Sequence, residues 1–119
     1  MKDIEKFQDE RENLNEKVLK FNGKIIKRFY NLDHTVYLDG ALPRKTKEIL
    51  GLISSFVLRC DDCINYHLAQ CHELGVTDEE LDETLSIGVI VGGSVTIPHL
   101  RKAVKTWFKL KGKDTDGKA

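Results

Sequence analysis

"LRCDDCINYH", Leu58 to His67, carries two cysteines with two residues between them and a histidine four positions beyond the second. How this stretch is read decides both fold and chemistry. Cys60, Cys63, His67 and Cys71 follow one another at steps of three, four and four, which places them on one face of a helix. Such a helix rises about 1.5 Å per residue, so Cys60 and Cys71 are roughly 16 Å apart along its axis and Cys60 and His67 about 10 Å. Neither set suits a tetrahedral zinc with bonds of about 2.0–2.3 Å. There is no second closely spaced Cys/His pair of the zinc-finger kind, and no metal or other cofactor is expected. A redox dithiol explains more. A cysteine at a helix N-terminus is favoured as thiolate by the dipole and the free N–H groups. His67 lies one turn from Cys63 and is the natural base for its proton. Glu48 stands twelve residues before Cys60 and reaches His67 if its helix packs antiparallel to the site helix. Cys71 reads as a buried small apolar residue. The Asp61-Asp62 pair opposes a nearby thiolate and is read as a helix cap. Taken singly, Glu48 reads as a solvated charge and His67 as an ordinary core or surface residue.

Outward from the motif, every periodic segment is helical. Residues 1–30 read as one amphipathic helix, with Ile4, Phe7, Leu14, Val18, Phe21, Ile25 and Phe29 on the apolar stripe and Gly23 as a candidate bend. This stripe needs a surface to cover it, on the chain's own core or on another subunit. "NLDHTVYLDGALP", Asn31 to Pro43, reads as a connector with one short helical turn after Asp33. Pro43 suits the first turn of the next helix, whose apolar side is Ile49, Leu52, Ile53, Phe56 and Val57. The site helix is expected over residues 61–74, stopped by Gly75. Thr77 and Glu80 form a capping box for a helix through Leu81, Leu85 and Val89 that Gly92-Gly93 breaks or bends. A last helix reaches Leu110. No alternating strand pattern, Asn-Gly hairpin turn or internal repeat is present, so the fold class is all-α.

The chain has 119 residues, with 19 Lys plus Arg against 19 Asp plus Glu. This length fits one domain and buries roughly two-thirds of its unfolded surface. The expected organisation is a single domain over 1–111, in which 1–30 is the N-terminal helix and 42–103 the motif-bearing core, followed by a disordered polar tail at 112–119. The balanced charge excludes the basic footprint of a nucleic-acid binder. The longest mostly apolar stretch, Leu85 to Pro98, is too short and glycine-rich to be a good membrane span. The N-terminus is charged from its second residue and lacks an export signal. Three cysteines are too few and odd in number for a secreted disulfide scaffold. A cytoplasmic protein is expected.

Glu48, eleven residues, Cys60, two residues, Cys63, three residues and His67 together resemble the signature of the AhpD-like alkylhydroperoxidases of the carboxymuconolactone decarboxylase superfamily. The likeness extends over Leu42 to Ala103, about half the chain. It is far more specific than a bare Cys-x-x-Cys, which also suits thioredoxins but lacks their strands here. The resemblance implies an AhpD-like helical bundle assembled as a homo-oligomer, often a trimer or hexamer. It implies Cys63 as the nucleophile toward a hydroperoxide, Cys60 as the resolving thiol, His67 as base or proton relay and Glu48 as its orienting partner. It also implies a dithiol reductant, a lipoyl protein or a thioredoxin-like protein. The founding alkylhydroperoxidase has a histidine just before its second motif cysteine, where this chain has Asp62. General dithiol–disulfide oxidoreductase therefore stands as an alternative to peroxidase, with a non-enzymatic helical assembly module as a third class. The superfamily's lactone decarboxylases do not use the cysteine pair, which argues against that activity.

Overall fold

A computed structural model of the chain describes residues 2–112, with side chains from residue 5 onward. The helices are α1 (Lys2–Asn22), α2 (Lys24–Val36), α3 (Arg44–Val57), α4 (Asp61–Glu73), α5 (Asp78–Gly92) and α6 (Ile97–Leu110), with a single 3-10 turn at Ser94–Thr96. No strand occurs among the described residues, and the all-α expectation holds. From residue 113 on, the expected tail lies outside the described residues. The chain divides into two compact units, one ending at Arg44 and one beginning at Lys45.

The first unit is a helix hairpin. The single helix expected over 1–30 is two helices, because Gly23 adopts φ 77° and ψ −146°. Glycine takes this left-handed φ without a Cβ penalty, so a residue read as a candidate bend is a full break. The Tyr30 hydroxyl donates to Asn15 Oδ1 at 3.2 Å and ties α2 to α1. The second difference is the length of α2, which continues to Val36 through residues read as connector. Nothing between Asn31 and Val36 breaks a helix. Leu32 and Val36 also extend the spacing begun by Ile25 and Phe29. The chain then turns through residues 37–43. Pro43 stands just ahead of α3, and the first N–H of α3, on Arg44, donates to Asp39 Oδ1 at 2.7 Å.

The second unit holds the core. Leu52 and Phe56 from α3, Ile64 and Leu68 from α4, Leu81 and Leu85 from α5, and Ala103 and Trp107 from α6 are buried together. Each large apolar side chain so buried contributes about 1.5–3 kcal/mol. Gly88 permits close approach of α5 to α3, since a Cβ there would lie 2.5 Å from Phe56 Cδ2. Trp107 Nε1–H donates to Asp78 Oδ1 at 2.8 Å, so its polar edge is satisfied at the rim of the core.

Each helix end has an identifiable cause. The capping box at Thr77 and Glu80 is complete in both directions. Gly75, at φ 80°, ends α4, with Gly75 N–H donating to His72 O and Val76 N–H to Cys71 O. These two bonds make a Schellman motif. Gly93, at φ 80°, ends α5 in the expected place. α3 closes with the same Schellman pattern: Arg59 N–H donates to Phe56 O and Cys60 N–H to Ser55 O, both near 3 Å. Here the left-handed position is held by Arg59, at φ 61°.

α4 is fastened to α6 at several levels. Asp61 Oδ1 accepts from His99 Nδ1–H at 2.7 Å, and Asp61 Oδ2 accepts from Lys102 Nζ at 3.1 Å. Further along, the Thr106 hydroxyl donates to Asn65 Oδ1 at 2.9 Å. The bond from His99 foremost, aided by Lys102 and opposed by burial, holds the Asp61 carboxyl below its ordinary 3.8.

Two stability tests follow from these ties. A non-glycine residue in the left-handed region costs roughly 1–2 kcal/mol, partly offset by the extra chain entropy of glycine, about 0.5–1 kcal/mol. Arg59→Gly is therefore expected to stabilise the fold by up to about 1 kcal/mol, and Arg59→Val to destabilise it; urea unfolding midpoints decide. The lowered carboxyl of Asp61 gives stability that is present above its unfolded-state titration and lost as pH falls through the folded-state value. Asp61→Asn should thus be less stable than wild type at neutral pH, and the gap should close on acidification. A gap that stays constant down to acid pH would contradict the tether.

Candidate active site

The short turn from α3 to α4 delivers the two motif cysteines. Left-handed Arg59 turns the chain so that Cys60, at φ −99° and ψ 95°, becomes the N-cap of α4. Its Sγ accepts the N–H of Cys63 at 3.3 Å. The sulfur of Cys60 thus does what a serine or aspartate oxygen does at most N-caps. Cys63 is exposed, whereas Cys60 is half-buried.

Behind the cysteines lies a buried acid–imidazole pair. His67 Nδ1 is 2.7 Å from Glu48 Oε1. Glu48 is 1% exposed and His67 7%, so the expected link between α3 and α4 is made, and it lies inside the core rather than at the surface. With Nδ1–H donated to the carboxylate, proton exchange by the imidazole is left to Nε2. The Tyr66 ring meets the His67 ring edge-on, with centroids 5.2 Å apart.

Cys71 is on the same helix as the motif but fully buried. Burial foremost, and then the charge of Glu48, push its thiol up to about 12. Its reading as an apolar core residue fits this environment. Sequence reasoning missed His99 and Lys102. They stand 38 and 41 positions from Asp61, and their only sequence signal is the three-residue spacing that puts both on one face of α6. They counter the negative charge of Asp61 beside the cysteines, while Asp62 is exposed to solvent. Among the described residues no group of three or more His, Cys, Asp or Glu is placed to hold a metal ion. Nor is any helix there long and apolar enough to cross a membrane. The geometry offers an accessible sulfur, a second sulfur three residues away, and an imidazole one turn along with its tautomer set by a buried carboxylate.

Known proteins share this architecture. The crystal structure of TM1620 from Thermotoga maritima superposes with a TM-score of 0.86 at 54% identity, covering 90% of this chain and 94% of that one. A second structure of TM1620, at TM-score 0.85 and 50% identity over 96% and 97% of the two chains, is of a carboxymuconolactone decarboxylase family protein with a suggested involvement in antioxidative response. Uncharacterized protein 4 in the cox locus of Paracoccus denitrificans is 26% identical over 84 residues, 71% of this chain and 76% of that protein. The model of the carboxymuconolactone decarboxylase family matches residues 23–106, from α2 into α6 and across the whole cysteine motif. By that match, this chain belongs to the carboxymuconolactone decarboxylase family.

Proposed function

We propose that the protein is a thiol-dependent peroxidase that reduces hydroperoxides through a Cys60–Cys63 dithiol/disulfide cycle. The observation that carries this reading is the buried Glu48–His67 bond of 2.7 Å one helical turn from an exposed Cys63. Membership of the family and the antioxidative role suggested for the Thermotoga protein support it.

In the first step His67 takes the proton of Cys63, and the thiolate attacks the terminal oxygen of the hydroperoxide. An S–O bond forms, the O–O bond breaks, and the alkoxide leaves as alcohol with the proton returned by His67. Glu48 orients the imidazole and stabilises its charged form between the two transfers. In the second step the Cys60 thiolate attacks the sulfur of the Cys63 sulfenic acid. The S–S bond forms, the S–O bond breaks, and the oxygen leaves as hydroxide, which takes up the proton given up by the Cys60 thiol to become water. A dithiol reductant, a lipoyl protein or a thioredoxin-like protein, then supplies two electrons and two protons to restore the pair. These reactants fit a cytoplasmic location.

General dithiol–disulfide exchange is the second reading. Asp62 beside Cys63 favours it, because an adjacent carboxylate opposes the peroxide-attacking thiolate. That reading keeps the disulfide and gives up the fast reaction with peroxide.

Mild oxidation followed by mass mapping should find a Cys60–Cys63 disulfide, with Cys71 remaining a thiol. A dominant bridge to Cys71 would refute the assignment. Single-turnover oxidation by a hydroperoxide separates the roles. Cys63→Ser should abolish it, and Cys60→Ser should leave the first attack intact but strand a sulfenic acid open to over-oxidation. His67→Ala should slow the first step by about 10²- to 10⁴-fold, and Glu48→Gln by less. Retention of the first step in Cys63→Ser with loss in Cys60→Ser would reverse the two cysteines. A slow wild-type reaction with peroxide, alongside rapid exchange with a disulfide substrate, would select the second reading.

A further inference from the structure

Between the two motif cysteines stand two carboxylates, Asp61 and Asp62, in the first turn of α4. A negative charge there opposes the help that a helix N-terminus gives a thiolate. An aspartate in that turn also competes for the backbone N–H groups of the helix end. Yet the N–H of Cys63 goes to Cys60 Sγ, and Asp61 is turned toward α6. Each oxygen of Asp61 has its own donor there. Oδ1 accepts from His99 Nδ1–H at 2.7 Å, and Oδ2 accepts from Lys102 Nζ at 3.1 Å. The side chains of His99, Asp61 and Lys102 are 20%, 37% and 67% exposed. Ion pairs this exposed contribute little to stability, whereas a charge next to a thiol acts directly on its ionisation.

We propose that His99 and Lys102 are positioning residues for the dithiol: acting through Asp61, they draw its carboxylate toward α6 and offset its charge, which lowers the cost of ionising Cys63. The proposal rests on the Cys60–Cys63 cycle, which both readings of the site keep. Geometry is the first argument. His99 and Lys102 are three residues apart on one face of α6, so a single carboxylate is gripped at both oxygens from one side. Its acid is held below the ordinary 3.8 by the His99 bond foremost, against burial and with help from Lys102, so Asp61 is charged wherever a thiol titrates. The second argument is the local balance of charge. The charged and titratable groups near the dithiol are Arg59 in the preceding turn, Asp61, Asp62 and His67 on α4, Glu48 on α3, and His99 and Lys102 on α6. Glu48 is matched by His67, and Asp61 by α6. Asp62 is exposed, where water and salt screen it. Negative charge therefore does not build up around Cys63 when its thiol ionises.

The acidity of Cys63 tests this. It is read from the pH dependence of alkylation by iodoacetamide in the reduced full-length protein, with mass mapping to assign the sulfur and circular dichroism to confirm the fold. Asp61→Asn should lower the Cys63 titration midpoint by roughly half a unit, and Lys102→Met should raise it by about as much, the scale of one charge acting through water at this range. Lys102→Arg should keep the wild-type value. His99→Ala should raise the midpoint, and that rise should vanish in an Asp61→Asn background. The opposite signs decide between roles. Asp61→Asn and Lys102→Met break the same tether, so a purely structural tether would move both midpoints the same way. Shifts of one sign, or no shift, overturn the proposal. So does a His99→Ala effect that survives in the Asp61→Asn background. Alkylation needs neither peroxide nor a disulfide. Failure of the cycle itself would therefore show separately, as a wild type that alkylates at Cys63 yet forms no Cys60–Cys63 disulfide on oxidation.

Discussion

A carboxylate with 1% exposure constrains everything around it. Glu48 points into the unit built from Leu52, Phe56, Ile64 and Leu68. Removing a charge from water costs several kcal/mol unless a well-placed partner compensates. His67 is that partner, at 2.7 Å. The bond ties α3 to α4 at one register, because sliding either helix by a residue would swing one partner out of reach. The turn between them is correspondingly short, and Arg59 accepts a left-handed backbone to complete it. Strain of this kind persists where surrounding structure over-determines the backbone. Here the Schellman bonds on one side and the Cys60 cap on the other do so.

The same carboxylate separates cysteines that the sequence places on one face. Cys71 is fully buried, and the charge of Glu48 adds to burial in suppressing its ionisation. Cys60 and Cys63 sit at the N-terminal end of α4, where backbone N–H groups point outward. Distance along the helix, rather than residue type, thus divides an inert thiol from two accessible ones. Asp61 would count against a thiolate at that end if it were bare. His99 and Lys102 reach across from α6 to engage it, so the acid beside the motif serves the packing of α4 on α6.

What could be read in advance was local. The capping box at Thr77, the stop at Gly75 and the end of α5 at Gly92-Gly93 depend on residues within one turn of each other, and all three stand where expected. Helical period also placed Cys63 and His67 one turn apart, whereas Glu48 reaches His67 from another helix and so depended on how α3 packs against α4. The misses were of two kinds. At Gly23 a glycine permits both a bend and a break, and only packing against α1 selects the break. α2 ran past its expected end because residues 31–36, though mostly weak helix formers, include no glycine or proline and continue an apolar ridge. The second kind was tertiary. The left-handed φ of Arg59 has no sequence signal, since arginine is not a residue that favours it. His99 and Lys102 meet Asp61 only because α4 and α6 cross.

Apolar periodicity reports that a helix face will be covered and is silent about what covers it. α5 shows the difficulty. Leu81, Leu85 and Gly88 face inward, yet Ile87, Ile90 and Val91 on its other side are 60–85% exposed. A helix apolar on both sides ordinarily lies inside something larger. The burial of Leu85 is accounted for by the chain's own core, and that of Gly88 by the approach of Phe56. Ile90, by contrast, is 85% exposed. The apolar surface of α5 therefore exceeds what the core uses. The surplus lies on several elements, with Phe21 on α1, Leu58 after α3 and Ile90 on α5 all largely exposed, so periodicity that correctly located the core face of each helix gave no means of telling which of the remaining apolar side chains simply face water.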